Sequence, residues 1–341
     1  MSGRHPKRFL LSLFFIFLLI LGYASWRAYC FWTTPLQVTD PGIMVELLPG
    51  QSFRAFSKNL VDQKIISPTE ALYFEMRFRF QHSPAVHRGE YLLTPNITPQ
   101  ALLEKLKKGE VVHYPFTIVE GFTLKEITQR IAALPKLKYQ YFDAADAKLC
   151  QPFRGNLASI EGLMLPETYF YVKNDTPEQL INRACQSMAK TVNHFWVSRD
   201  LSLPFNTPYA FLVMASIIEK ESAYLPERPL IAGVFYNRLE KGMRLQTDPT
   251  VIYGLGEKYS GKLTHEDLLV DTPYNTYTRK GLPPTPIASP SRESIEAALH
   301  PEHTTALFFV AKKDRSHIFA DTYEAHLQNI AHYLKDEGKA Q

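Results

Sequence analysis

The sequence predicts an α+β chain in three parts: an N-terminal membrane anchor at 9–32, a small β-α-α-β subdomain at 40–115, and a larger mixed α/β domain at 116–335. Three observations predict it. A charge-free apolar run, Phe9–Trp26, lies close to the start. A glycine turn leading into a helix occurs twice, at Pro49–Phe53 and Glu120–Leu124. Beyond the second turn, Thr-Pro and Ser caps start a series of helices, with short apolar strands among them.

Phe9–Trp26 is about 18 residues, long enough to cross a bilayer. Arg4, Lys7 and Arg8 precede it, so the positive-inside rule keeps residues 1–8 in the cytoplasm as a short tail. Trp26, Tyr29 and Trp32 suit an aromatic belt at the far interface. Gly22–Ala24 would permit signal-peptide cleavage, but the apolar run is long for that purpose. The bulky Tyr29 before Cys30 argues against lipidation there. The body is therefore expected to face the periplasm or the cell exterior.

The net charge of +4 is a property of this leader alone. Arg4, Lys7, Arg8 and Arg27 are its bases and no acid precedes Asp40, which leaves 34 bases against 34 acids for the rest. A neutral body without a basic stripe excludes nucleic acid as the natural partner. Three cysteines make no disulfide framework; Cys150 and Cys185 could pair, but buried free thiols are the expected state.

In the small subdomain, 43–48 and 89–94 read as strands, and 52–62 and 68–80 as helices. The first helix follows Pro49-Gly50 and carries Phe53, Phe56 and Leu60 on one face. Ser67, Pro68 and Glu70 supply an N-cap, a first-turn proline and a capping glutamate for the second. Thr98-Pro99 opens a further helix that stops at Gly109. The β-α-α-β order resembles LysM modules, which bind cell-wall glycans; a plain structural subdomain fits the same order.

In the larger domain, Val111–Val119 reads as a strand. Leu124, Ile127 and Ile131 then repeat the offsets of Phe53, Phe56 and Leu60, behind a Thr123–Glu126 capping box. Helices follow from Thr176-Pro177 to about Val197, from Thr207-Pro208 through the apolar run Phe211–Ile218, and over 228–240. Residues 271–292 hold Pro273, Pro283, Pro284, Pro286 and Pro290 and read as an ordered loop. Ser291 caps a helix to about Leu299; 306–311 and 317–320 read as short strands; a last helix covers 322–335, before a charged tail.

The chemistry concentrates around the apolar helix. Glu219 continues its Leu212–Ala215–Ser216 line and Glu221 its Met214–Ile217–Ile218 line, so spacing chooses neither. Both could simply mark the exposed end of a buried helix. A carboxylate emerging from such a helix is desolvated, which raises its pKa and suits it to protonate a glycosidic oxygen. Gln246, Thr247 and Asp248 crowd directional polar groups beside Tyr253, although Asp248-Pro249 is also ordinary turn chemistry. The stiff proline-rich loop presents Tyr274, Asn275 and Tyr277 as a candidate substrate wall, or as a rigid connector. Glu161, set among apolar residues, could be a second carboxylate, an orienting group or a paired structural acid. His300 and His303 lack the HExxH spacing, and no P-loop, G-x-G-x-x-G or G-x-S-x-G occurs, so neither metal nor cofactor is expected.

Four segments then occur in order: Glu161-Gly-Leu-Met-Leu-Pro-Glu-Thr-Tyr169, Ala215-Ser-Ile-Ile-Glu219-Lys-Glu221, Arg244-Leu-Gln-Thr-Asp-Pro-Thr-Val-Ile-Tyr253, and Tyr274-Asn-Thr-Tyr277 followed by Gly281-Leu-Pro-Pro. With the anchor, they resemble the endolytic murein transglycosylases of the YceG-like family over essentially the whole chain. Thr285, Ala288-Ser289 and Arg315 depart from the family pattern in its loops. The resemblance implies a single-pass protein of the bacterial inner membrane with a periplasmic domain. It implies cleavage of the β-1,4 bond between N-acetylmuramic acid and N-acetylglucosamine without water, leaving 1,6-anhydro ends and limiting nascent strand length. It implies Glu219 as the catalytic acid and Glu221 as a supporting residue, with Gln246, Thr247, Asp248, Tyr274, Asn275, Tyr277 and Glu161 as substrate-binding residues. Glycan strands are the implied partner, with peptidoglycan synthases beside them. A muramidase using Glu219 with Glu161 or Asp248, and a non-enzymatic glycan-binding scaffold, are the rival readings.

Overall fold

The computed structural model describes residues 6–81, 85–154, 157 and 159–333. The first residues of the expected cytoplasmic tail and the charged segment after 333 lie outside them. Two compact units form: one takes the chain up to Tyr114 together with Val172–Asn174, the other Pro115–Tyr171 and Asp175 onward.

The first unit begins with α1 (Pro6–Thr33). Phe9–Thr33 is apolar and long enough to cross a membrane, and its side chains up to Tyr29 are nearly all exposed. Its last turn differs: Phe31 is buried in one cluster with Leu36, Leu60, Phe74 and Leu102. β1 (Ile43–Leu47) pairs antiparallel with β2 (Gly89–Leu93), with Val45 opposite Tyr91. Between them lie α2 (Phe53–Asp62) and α3 (Pro68–Phe80), and α4 (Pro99–Lys108) follows. The caps read from sequence are in place. Ser52 and Thr98 accept backbone N–H groups, Ser67 and Glu70 exchange both bonds of a capping box, and Gly109 ends α4 left-handed at φ 67°.

The second unit begins at Pro115, within β3 (Tyr114–Thr117), a strand shorter than the expected 111–119. Val111 is used instead to pack over Gly89, and the Val112 N–H donates to the Glu90 carbonyl. α5 (Leu124–Ala132) follows its Thr123–Glu126 box, then the short α6 (Gln151–Arg154). β4 (Thr168–Tyr171), which periodicity did not announce, pairs with β3. α7 (Pro177–Trp196) is joined to the segment before α6 by a Cys150–Cys185 disulfide, with Cα atoms 5.1 Å apart. The free-thiol expectation is thus corrected: Asn182 accepts the Cys150 N–H and brings the two cysteines within bridging range.

At the centre lies α8 (Pro208–Glu221), with Phe211–Ile218 wholly buried against α7, α9 (Arg228–Glu240) and α12 (Arg292–Leu299). α10 (Asp248–Leu255) is a helix where a polar turn was expected; Asp248-Pro249 opens it. α11 (His265–Leu269) precedes the proline-rich loop, which carries no regular element. That loop is tied to α8 by Ser216, whose hydroxyl accepts the Ile287 N–H at 3.0 Å. β5 (Phe308–Ala311) and β6 (His317–Ala320) form an antiparallel hairpin, and α13 (Tyr323–Tyr333) packs on it.

Candidate active site

The two carboxylates at the end of α8 have different surroundings. Glu219 has a side chain only 5% exposed, facing an Arg228 that is 4% exposed. Arg228 reaches it bidentately, Nη1 to Oε2 and Nη2 to Oε1, both at 3.1 Å. The Ser291 N–H donates to Oε2 at 2.9 Å, and the Ser291 hydroxyl also donates to it. The Arg228 Nε meanwhile donates to the Ser222 carbonyl. Glu219 therefore clamps the start of α9 and the cap of α12 onto the end of α8.

Glu221 instead lines a cavity of about 460 Å³, together with Arg238, Gln246, Asp248, Tyr277 and the β5–β6 hairpin. Burial pushes its pKa up to about 7. The neighbouring Asp248 adds to the rise; the Thr247 hydroxyl, donating at 2.8 Å, and Arg238 oppose it. This carboxyl keeps its proton near neutral pH while facing open space.

The local backbone is arranged around that group. Thr247 is the N-cap of α10 but makes no side-chain cap bond, because its hydroxyl serves Glu221. Forgoing such a cap costs about 1 kcal/mol. Gln246 sits left-handed at φ 52°, a strained conformation for a non-glycine residue of the kind that gathers at functional sites. Arg238, buried on the same face of α9 as Ile231 and Phe235, donates to the carbonyls of Arg244, Leu245 and Leu307 and so fixes the segment leading to Gln246. Tyr277 donates to Asp248 Oδ1 at 2.5 Å.

Gln246, Asp248 and Tyr277 thus stand around Glu221, with Thr247 behind it. The others expected at the substrate do not line that cavity. Asn275 is 0% exposed, and its amide is spent on the carbonyls of Leu268 and Val270 and the N–H of Tyr277, so it shapes the loop from within. Tyr274 bonds Thr285 and stacks at a tilt on Tyr253, 4.8 Å between centroids. Glu161 is buried, accepting from the Leu124 N–H at 2.9 and 3.0 Å and from the Tyr253 hydroxyl at 2.9 Å. The following Gly162, at φ 70°, leaves no room for a Cβ, which would lie 2.3 Å from Pro286.

Burial also raises the Glu161 pKa, from 4.5 to about 7, against the pull of the Leu124 N–H and the Tyr253 hydroxyl. A folded pKa above the unfolded one stabilises fully below the unfolded value, and the benefit is lost as pH rises through the folded value. Thermal unfolding should therefore occur at lower temperature at pH 8 than at pH 5. Glu161→Gln should flatten that slope by about 3 kcal/mol across the interval. An unchanged slope, read by fluorimetry at both pH values, would count against this burial effect.

Sequence reasoning missed Arg228, Arg238, Glu227 and His317. The first two had a signal, since both fall on the wheel face of Ile231 and Phe235, where a surface arginine has no place. Glu227 accepts the His317 backbone N–H at 2.9 and 3.1 Å and lies 2.8 Å from the His317 Nδ1. Nothing in the chain order links those two.

The description of the YceG-like family fits residues 45–332 of the chain. A Bacillus subtilis protein named endolytic murein transglycosylase is 31% identical, covering 87% of this chain and 86% of its own length. One of the same name from Streptococcus pneumoniae strain D39 is 28% identical over 98% of this chain, which spans 66% of that longer protein. A solved yceG-like protein of Listeria monocytogenes superposes with a TM-score of 0.55 at 34% identity, covering 85% of this chain and 100% of that one.

Proposed function

The chain belongs to the YceG-like family, and on that premise we propose that it is an endolytic lytic transglycosylase of peptidoglycan with Glu221 as its catalytic acid. The observation that carries this reading is a carboxyl protonated near neutrality, opening on a cavity long on hydrogen-bonding groups and aromatic faces.

The role is thereby moved from Glu219, whose oxygens are taken by Arg228 and Ser291. Glu221 donates its proton to the glycosidic oxygen as the C1–O bond breaks. The C6 hydroxyl of the muramic residue then bonds to C1, and its proton returns to the Glu221 carboxylate, leaving the enzyme as it began. The nucleophile belongs to the substrate, so one carboxyl serves where hydrolysing glycosidases generally need two. Asp248, Gln246 and Tyr277 hold the sugars. Thr247 fixes the Glu221 side chain.

Arg4, Lys7 and Arg8 before the apolar helix support an N-terminus in the cytoplasm and catalysis in the periplasm, as does the disulfide, which persists in oxidising compartments. Set in the inner membrane, the enzyme would meet nascent strands beside peptidoglycan synthases and limit their length. The LysM-like reading of the first unit rests on its β-α-α-β order.

Mass spectrometry of glycan digested by the purified protein tests the reaction. Anhydro ends are lighter by one water than hydrolysed ends. Hydrolysed ends alone would replace this reading with a muramidase, and intact strands would leave a glycan-binding scaffold.

A further inference from the structure

We infer that the Glu227–His317 pair and the apolar edge of β5 beside it form a seat for a sugar acetamido group, which makes the cavity selective for N-acetylated glycan. The inference rests on the proposed function and names the chemistry of one of its contacts.

The Glu227 carboxylate can only accept, and it receives the His317 backbone N–H and faces Nδ1 at 2.8 Å. That partner assigns the ring hydrogen to Nδ1. In the neutral ring Nε2 is then the acceptor, and no protein donor meets it among the described residues. The side chain is only 8% exposed, held edge-on by Phe309 at 5.4 Å, yet it borders the same cavity as Glu221. A fixed ring with one open acceptor at a substrate cavity asks for a donor from the substrate.

The neighbouring wall says which donor. Phe308, Phe309 and Val310 line the cavity beside His317, and the Phe308 ring is held flat by His326, 5.2 Å away. A hydroxyl gains nothing from such a surface. An acetamido group has a single N–H for Nε2 and a methyl for the apolar edge. Both sugars of the proposed substrate carry that group.

The test measures affinity in the full-length Glu221→Gln chain in detergent, where strands are not cut. Two synthetic tetrasaccharides serve as probes: the N-acetylated glycan, and an analogue with acetate esters in place of the acetamides, which keeps methyl and carbonyl and lacks only the N–H. His317→Ala should weaken the N-acetylated probe on the order of tenfold and leave the ester analogue unaffected, since both changes delete one contact. His317→Gln, which keeps an acceptor, should recover part of the loss and guards against a folding defect in the alanine variant. Equal weakening of both probes, or none, overturns the inference. Failure of the parent chain to bind either probe overturns the proposed function and this inference with it.

Discussion

Glu221→Gln is expected to lower strand cleavage on the order of 10³-fold or more while leaving the fold intact. The amide is nearly the same size and still meets the Thr247 hydroxyl, but it carries no transferable proton. The wild-type rate should fall as pH rises through about 7, because burial holds the carboxyl protonated only below that value. Release of anhydro ends from purified glycan, followed between pH 5 and 9, checks both statements. Full activity in Glu221→Gln would sink the assignment.

Glu219 and Arg228 should respond in the opposite sense. Arg228→Ala leaves the Glu219 carboxylate buried without its counter-charge, and losing one partner of such a pair costs about 3–5 kcal/mol. Glu219→Gln should also destabilise, while its folded fraction keeps cleaving. Replacing both by apolar residues of similar volume should recover much of the lost stability. Urea titration of the two single variants and the double variant, with activity corrected for folded fraction, separates a clamp from an acid. Loss of activity in folded Glu219→Gln would return the catalytic role to that residue.

The difference between these two neighbours marks the limit of what the chain discloses. Caps are local, so the start of α3 at Pro68 and of α7 at Pro177 could be read from three or four residues each. Seven of the residues from Phe211 to Ile218 are apolar, and all eight are buried. α10 escaped notice because Asp248-Pro249, which opens it, is also ordinary turn chemistry. Glu219 and Glu221 are told apart by groups far along the chain: Ser291 for the first, Thr247 for the second. A helical wheel contains neither. The same holds for Asn275, whose place in a polar loop suggested a sugar contact until its amide was found spent on Leu268 and Val270.

The last turn of α1 carries a further consequence. Residues up to Tyr29 expose apolar side chains, as a helix able to cross a membrane would, whereas Phe31, two residues later, belongs to the protein interior with Phe74 and Leu102. One uninterrupted helix thus passes from exposed apolar side chains to buried ones within a single turn, with no linker between them. The first unit completes its interior only with that turn in place. The apolar leader is in this way also a structural part of the body, and a chain cut between Tyr29 and Phe31 would be left with an unfinished interior.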